Sequence, residues 1–404
     1  MSNHEDYVLI PGSERQPLPG ARVVGKPDGR ERIEVNVLVR RSSGGDLESR
    51  VSAMGNLPPG ERSHLDREQF GAEHGADPED LEKIKAFARA NNLEIVGESL
   101  SQRRVTLSGT LDSLCGAFGV ELALYEHPGG SYRGRRGPVM VPSGLGDIVQ
   151  SVHGLDDRPA ASPRFRARIV RPHTGGVSYT PPQLAKLYDF PTAGDGQGQS
   201  IAIIELGGGY RAQDLADYFT GLKVPQPRVS AVSVDGGHNQ PTGDPNGPDG
   251  EVALEIEVAG AIASGANIIV YFAPNTDRGF LDAINTAVHD AVNKPSVVSI
   301  SWGSPEDQWT AQSITAFDRA FQDAAALGVT VCCAAGDGGS TDGEKDDLQA
   351  RSRRVGRVPR HNSRQQRRLP GQHGMGCLHR SGKPRRLQAP RSAQNRRIIQ
   401  LPLT

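Results

Sequence analysis

Asp249-Gly250-Glu251-Val252-Ala253-Leu254-Glu255-Ile256-Glu257-Val258-Ala259-Gly260-Ala261-Ile262-Ala263 is the stretch on which the reading of this chain turns. Its apolar residues recur without the turn-forming residues that precede it, which predicts a helix. Asp249 is expected to cap the helix start, and the Pro/Gly/Asn-rich run 241–250 to stay non-helical. Glu251 and Glu255 then lie one turn apart on one face. Like charges at that spacing cost roughly 0.2–0.5 kcal/mol on an exposed helix, and far more when both are ionised and buried. A solvated acidic face is the ordinary reading of such a pair. Here Val252, Leu254, Ile256, Val258 and Ile262 leave no wide polar face. The two acids are therefore read as a paired-carboxylate site that shares a proton or serves chemistry.

Working outward, Ser200-Ile201-Ala202-Ile203-Ile204-Glu205-Leu206-Gly207-Gly208-Gly209-Tyr210 reads as a strand ending in an acid and a glycine turn. Ser299-Ile300-Ser301-Trp302-Gly303 and Ala334-Ala335-Gly336-Asp337-Gly338-Gly339-Ser340-Thr341-Asp342-Gly343-Glu344 follow at later strand ends. In this order and at these intervals, the four segments resemble the sedolisin family of serine-carboxyl peptidases, in wording nearest its kumamolisin branch. The resemblance covers residues 21–348. It implies a subtilisin-like fold in which carboxylates replace the histidine base.

By that resemblance Glu251 matches the general base, and Glu255 takes the place of the aspartate that orients it. Glu205 and Trp302 match outer members of the same hydrogen-bonded chain, and Asp337 matches the acid of the oxyanion hole. The chemistry is coherent. A serine hydroxyl needs a base within about 3 Å, and a carboxylate serves at low pH, where imidazole is already protonated. An aspartate stabilises an oxyanion only while protonated, since only then does it donate a hydrogen bond. Two positions depart from the pattern. Glu255 stands where the family has Asp, one methylene longer, and misplacement by about 1 Å can cost a hundredfold in rate. Gly338 stands where the family has Ser, which loosens the turn after Asp337.

A chain of 404 residues accommodates two or three domains. Mean hydropathy is −0.47, and no apolar run reaches the roughly 20 residues of a membrane span. The start, Met1-Ser2-Asn3-His4-Glu5-Asp6, shows no recognisable signal peptide. The four cysteines show no metal-ligand spacing and imply no disulfide framework. Adjacent Cys332 and Cys333 are expected on opposite faces of a strand, as small buried hydrophobes.

Residues 1–20 are polar and expected to be disordered. Residues 21–157 read as an α+β ferredoxin-like prodomain, with strands at 32–39, 93–96, 104–108 and 120–125 and helices opened by Asp77-Pro78 and marked by Leu111, Leu114, Cys115 and Phe118. It holds no polar cluster suited to chemistry and resembles the family propeptide, a chaperone and intramolecular inhibitor. Residues 158–178, basic and Pro-rich, read as a cleavable linker. From 179 to 348 strands and helices alternate, as in a helix-covered parallel sheet, with Glu205 and Asp337 at strand carboxyl ends. This is the incomplete α/β subtilisin-like catalytic domain.

Residues 349–404 break the pattern. From 351 there are fifteen Lys/Arg and no Asp/Glu, which leaves 31 basic against 47 acidic residues upstream. The tail is read as out-of-frame coding sequence, with a nucleic-acid-binding arm as the rival. No Gly-Thr-Ser tripeptide, the family's nucleophile motif, occurs anywhere, so no nucleophile serine is found; Ser301 and Ser340 are read as strand and turn residues. Calcium is expected for the full-length family, with its ligands missing here. The expectations are thus an acid-acting serine-type endopeptidase precursor, extracellular, monomeric, acting on protein or peptide, with no nucleic-acid or membrane partner. The alternative is a non-catalytic pseudoenzyme or prodomain-type inhibitor.

Overall fold

The computed structural model describes residues 6–42, 46–163, 179–191 and 194–335. The tail 349–404, Asp337 and most of the expected linker lie outside the described residues.

The first domain runs β1 (Tyr7–Leu9), β2 (Arg22–Gly25), β3 (Arg32–Val39), α1 (Leu47–Gly55), α2 (Arg67–His74), α3 (Pro78–Ala90), β4 (Glu94–Ser99), β5 (Arg104–Thr110), α4 (Leu111–Phe118), β6 (Leu122–His127), β7 (Gly130–Arg135), β8 (Met140–Pro142) and β9 (Val149–His153). Helix α3 starts as its sequence predicts: Asp77 accepts from the amide of Glu79, and Pro78 takes the first turn. The main sheet is antiparallel in the order β4-β5-β3-β9, with α3 and α4 closing a core around Val35, Ile84, Leu107, Leu114 and Phe118.

Two expectations need correction here. The strand expected at 120–125 forms as β6, but it joins β2 and β7 in a separate sheet, and β9 takes the fourth place in the main one. The N-terminal segment, expected to be disordered, is built in from Asp6. Tyr7–Leu9 pairs with Met140–Pro142, Ile10 is buried, and Ser13 Oγ donates to Ile10 O while accepting from Val139 N. Its partner strand lies more than a hundred residues away, so local polarity concealed the pairing.

After β10 (Ser162–Pro163), the second domain runs α5 (Pro181–Leu187), β11 (Ser200–Glu205), α6 (Ala212–Leu222), β12 (Arg228–Ser233), α7 (Pro248–Ile262), β13 (Asn267–Phe272), α8 (Asp277–His289), β14 (Val297–Ile300), β15 (Trp302–Gly303), α9 (Ala311–Ala326) and β16 (Thr330–Cys333). Its sheet is wholly parallel in the order β12-β13-β11-β14-β16. Strand β12 escapes the sequence reading because it is an edge strand of mostly Arg, Ser and Ala. Strand β16 keeps the alternation expected for Cys332 and Cys333, but Cys332 is exposed rather than buried.

The two domains share a core. Helices α8 and α9 lie against the face of the first sheet that α3 and α4 leave open. Leu38, Leu47 and Phe70 join Phe280, Leu281 and Phe317 in one apolar cluster. Strand β3, expected to be half-buried, is therefore buried on both faces from Val35 to Val39. Acids of the second domain meet donors of the first across this contact. Asp277 faces Arg15 and His153, Asp282 faces Asn36 and Arg104, and Asp323 faces Arg41. All three acids are buried, so each needs its partner.

Candidate active site

In the parallel sheet the chain steps from β11 to one side and from β14 to the other. The crevice between their carboxyl ends is the topological switch point, where open α/β sheets place their ligands. Glu205 ends β11, while Ser301 and Trp302 follow β14, so three of the singled-out residues meet there. The turn 207–209 makes room for the fourth element. Gly208 has φ +70°, and a Cβ on it would stand 2.7 Å from the amide of Asp249, so only glycine lets α7 approach.

Helix α7 begins one residue before Asp249, with Pro248 in its first turn and Gly247 before it. Asp249 is thus not the cap, and the run 241–250 is helical over its last three residues. The carboxylate of Asp249 instead ties loops together. It accepts from Gly209 N at 3.0 Å, Gly243 N at 2.6 Å and Thr242 Oγ1 at 3.1 Å. Burial alone would raise its pKa, but these donors outweigh burial and hold it below the ordinary value.

Glu251 is 2% exposed, Glu255 9% and Glu205 0%, so the helix pair and the strand-end acid form one buried cluster. Trp302 Nε1 donates to Glu205 Oε2 at 2.7 Å. Burial, then the neighbouring Glu255, pushes the Glu205 carboxyl well above its ordinary range; the indole bond only partly opposes this, and Glu251 adds to the rise. Burial and then the charge of Glu251 push Glu255 up to about 8, against a hydroxyl bond from Ser299. Three carboxyls this close cannot all ionise, and Glu205 and Glu255 hold protons at pH values where free carboxyls have lost them. Ser301 Oγ donates to Glu255 Oε1. Ser301, read from sequence only as a turn or strand residue, and Ser299 are thus the donors to Glu255. Asp249 aside, no signal in the sequence pointed to these supporting contacts, because each depends on a different strand end. Asp337, beyond β16, lies outside the described residues.

The end of the first domain pairs with the residues that follow β14, beside this site. Ser162 and Pro163 pair antiparallel with Gly303 and Trp302. Ser304 Oγ donates to Ala160 O at 2.5 Å. From the opposite edge, Asn275 accepts from the amides of Ala160 and Ala161 at 3.1 and 3.0 Å and donates to Ala161 O at 2.8 Å. Arg158, expected in a loose linker, is buried in a bidentate pair with Asp156. Among the described residues no group of His, Cys, Asp and Glu side chains is arranged to hold a metal ion. No described helix is long and apolar enough to cross a membrane.

Comparison with known proteins gives the following. Residues 19–158 match the family model "Pro-kumamolisin, activation domain". The chain is 53% identical over 352 residues to kumamolisin of Bacillus sp. strain MN-32, covering 85% of this chain and 64% of that protein. It is 26% identical over 370 residues to tripeptidyl-peptidase sed5 of Aspergillus fumigatus, covering 82% of this chain and 61% of that protein. The chain thus spans less than two thirds of these relatives. A solved structure of Pseudomonas sedolisin, a serine-carboxyl proteinase, matches at 26% identity over 41% of this chain and 46% of that one, with a TM-score of 0.37.

Proposed function

This chain belongs to the sedolisin family, in its kumamolisin-like branch with a propeptide, and from that premise we propose that it is the precursor of an acid-acting serine-type endopeptidase. The observation that carries the proposal is the buried carboxyl cluster Glu205, Glu251 and Glu255 at the switch point of the parallel sheet. In this reading Glu251 takes the proton of a serine nucleophile. Glu255, held by Ser299 and Ser301, orients it, and Glu205 with Trp302 fixes the far end of the chain of acids. Asp337, protonated, donates to the oxyanion. The raised carboxyls of Glu205 and Glu255 suit this, since a neighbour that keeps its proton in acid can donate a hydrogen bond within the chain of acids.

The 404 residues hold no Gly-Thr-Ser tripeptide, so the nucleophile is expected from the part of the family's domain that has no counterpart here. Calcium, expected for the full-length family, would be held by that same part. The first domain would act as the intramolecular inhibitor, with residues 159–163 lying where a peptide substrate would lie. Processing would fall in the linker 158–178, beyond Pro163. Protein or peptide substrates, an extracellular site of action and a monomer complete the reading.

A second reading rests on the absent tripeptide: the chain binds as a pseudoenzyme or inhibitor and does not cut. One experiment separates the two. The chain as given should neither shed its first domain nor cleave denatured protein at about pH 3 to 5, below the unperturbed imidazole pKa. A version completed with the remainder of a kumamolisin-type catalytic domain should do both, and should lose both on Glu251→Gln. Inactivity of the completed version would favour the second reading. Acid-dependent self-cleavage by the present chain would mean a nucleophile of another kind.

A further inference from the structure

Where the chain leaves β12 and meets α8, two carboxyls of the second domain touch each other. Asp235 follows β12, Asp282 lies one turn beyond Arg278 on α8, and the two side chains are hydrogen-bonded. Asp282 is 1% exposed, and Asp235 Oδ2 is buried with no other hydrogen-bond partner. An ionised carboxyl only accepts hydrogen bonds, so two carboxylates cannot bond one another. One proton lies between them.

The pair is set into the contact between the domains. Arg278 Nη2 donates to Asp235 Oδ1 at 2.9 Å and to Glu34 Oε2 of β3 at 2.7 Å. Arg104 of β5 pairs with Asp282 at 2.9 Å, and Asn36 of β3 donates to the same carboxyl. Three acids thus face two guanidinium groups, and the cluster is neutral only while it keeps one proton. Asp235 and Arg278 also line a cavity of about 650 Å³ at the domain junction. The other charged groups of that cavity are each paired elsewhere: Arg32 with Glu94, Arg133 with Glu31 and Asp157, and Asp156 with Arg158. Burial, then the charge of Asp282 and the hydrogen bond with it, push Asp235 up to about 7, against the pull of Arg278 and Arg104.

We propose that Asp235 and Asp282 form a proton lock that fastens the first domain to the second in acid and slackens the contact toward neutral pH. What the first domain inhibits rests on the peptidase reading, but the lock does not. Once the contact opens, Asp235 meets water, where an aspartyl carboxyl titrates near about 3.9. Between that value and about 7 the closed contact binds one proton more than the open one, so closure is favoured as pH falls. The contribution is complete below the lower value and is lost as pH rises through about 7. The first domain is therefore held tightest at the pH that suits the acid cluster. Acid alone does not free the site, and the first domain has to be cut away.

The test uses the intact 404-residue chain and needs no catalysis. Amide hydrogen exchange in β3 and α8, corrected for the intrinsic effect of pH on exchange, reads the opening of the contact. In the parent chain, protection there should fall by up to about tenfold per pH unit, the limit for one proton, between about pH 4.5 and 6.5, and level off above about 7. Asp235→Asn offers Asp282 a donor and Arg278 an acceptor at every pH. Asparagine also tolerates the left-handed backbone of this position, where φ is +51°. The variant should flatten the fall in β3 and α8 and leave α6, which packs against α7 in a core without first-domain residues, as in the parent. An equal fall in the variant would assign the pH dependence to other groups and overturn the proposal. A parent profile that is flat, or that rises with pH, would overturn it as well, and that result needs no variant to fold. The expected profile beside an inactive completed enzyme would keep the lock and remove the peptidase reading.

Discussion

The indole of Trp302 donates to Glu205 at 2.7 Å across 97 positions of sequence, while the backbone of the same tryptophan pairs with Pro163. One residue therefore holds the deepest acid of the cluster with its side chain and the end of the first domain with its main chain. The site and its cover are coupled at a single point.

Trp302→Phe tests that coupling. The ring still fills its place, but Glu205, fully buried, loses its donor. An unsatisfied buried group costs about 1–3 kcal/mol. Urea unfolding should show that loss in acid, where Glu205 is protonated in both proteins, and more of it as pH rises and the carboxyl begins to ionise. An unchanged midpoint would mean that the hydrogen bond contributes nothing net.

The acid cluster sets an alkaline limb on stability. Glu255 is raised in the fold to about 8, chiefly by burial, so its stabilising contribution is complete below the unfolded value and is lost as pH rises through about 8. Glu205 shifts in the same direction. Unfolding free energy should therefore fall between about pH 4.5 and 8, the unfolded and folded values of the glutamate. Glu255→Gln should flatten this limb. A stability profile flat over that range in the parent chain would contradict the burial of the three carboxyls.

The domain contact sets an opposite, acid limb. Burial raises the pKa of Asp277, yet His153, Arg15 and Arg135 outweigh burial and hold it at about 2. Its contribution is present above the unfolded carboxyl value and is lost as pH falls through about 2. Docking of the first domain on α8 should thus withstand the mild acid that suits the acid cluster and fail only in stronger acid. Size-exclusion chromatography after cleavage within the linker measures this directly. Release at about pH 4 to 5, above the unfolded carboxylate range, would show that other groups govern the contact.

Breaking the contact from one side should be costly. Arg104→Met leaves Asp282 with Asn36 and Arg278 but removes the ion pair at 2.9 Å. Leaving a buried charge wholly unpaired costs about 3–5 kcal/mol, and because Asp282 keeps Arg278 the loss should fall below that range. Limited proteolysis should then digest the second domain faster while leaving the first intact, because the first has its own core around Ile84 and Leu107. Equal resistance in both proteins would argue that the shared apolar core alone holds the domains together.

The built-in N-terminus gives a further check. A protease-resistant fragment of the parent chain should retain Tyr7, whereas Ile10→Asp should free the segment and move the first protected residue toward 21. Early loss of residues 6–15 from the parent would remove β1 from the fold.

Sequence by itself determined the alternation of strands and helices in 200–335 apart from the edge strand β12, the buried pair Glu251 and Glu255, and the strand-end positions of Glu205 and Trp302. These were legible because periodicity and spacing are local properties, and because an apolar helix cannot hide two acids without a partner. The tertiary structure decided everything that depends on distant partners. It moved the fourth strand of the first sheet from 120–125 to β9, and it joined Tyr7–Leu9 to Met140–Pro142. It also gave Glu255 its serine donors, turned Asp249 from a cap into a tie between loops, and laid Ala160 and Ala161 between Asn275 and Ser304. Each of these contacts is made by a residue whose own neighbours in sequence say nothing of it. Hydrogen bonds and burial are settled only when the chain brings separate strand ends to one crevice.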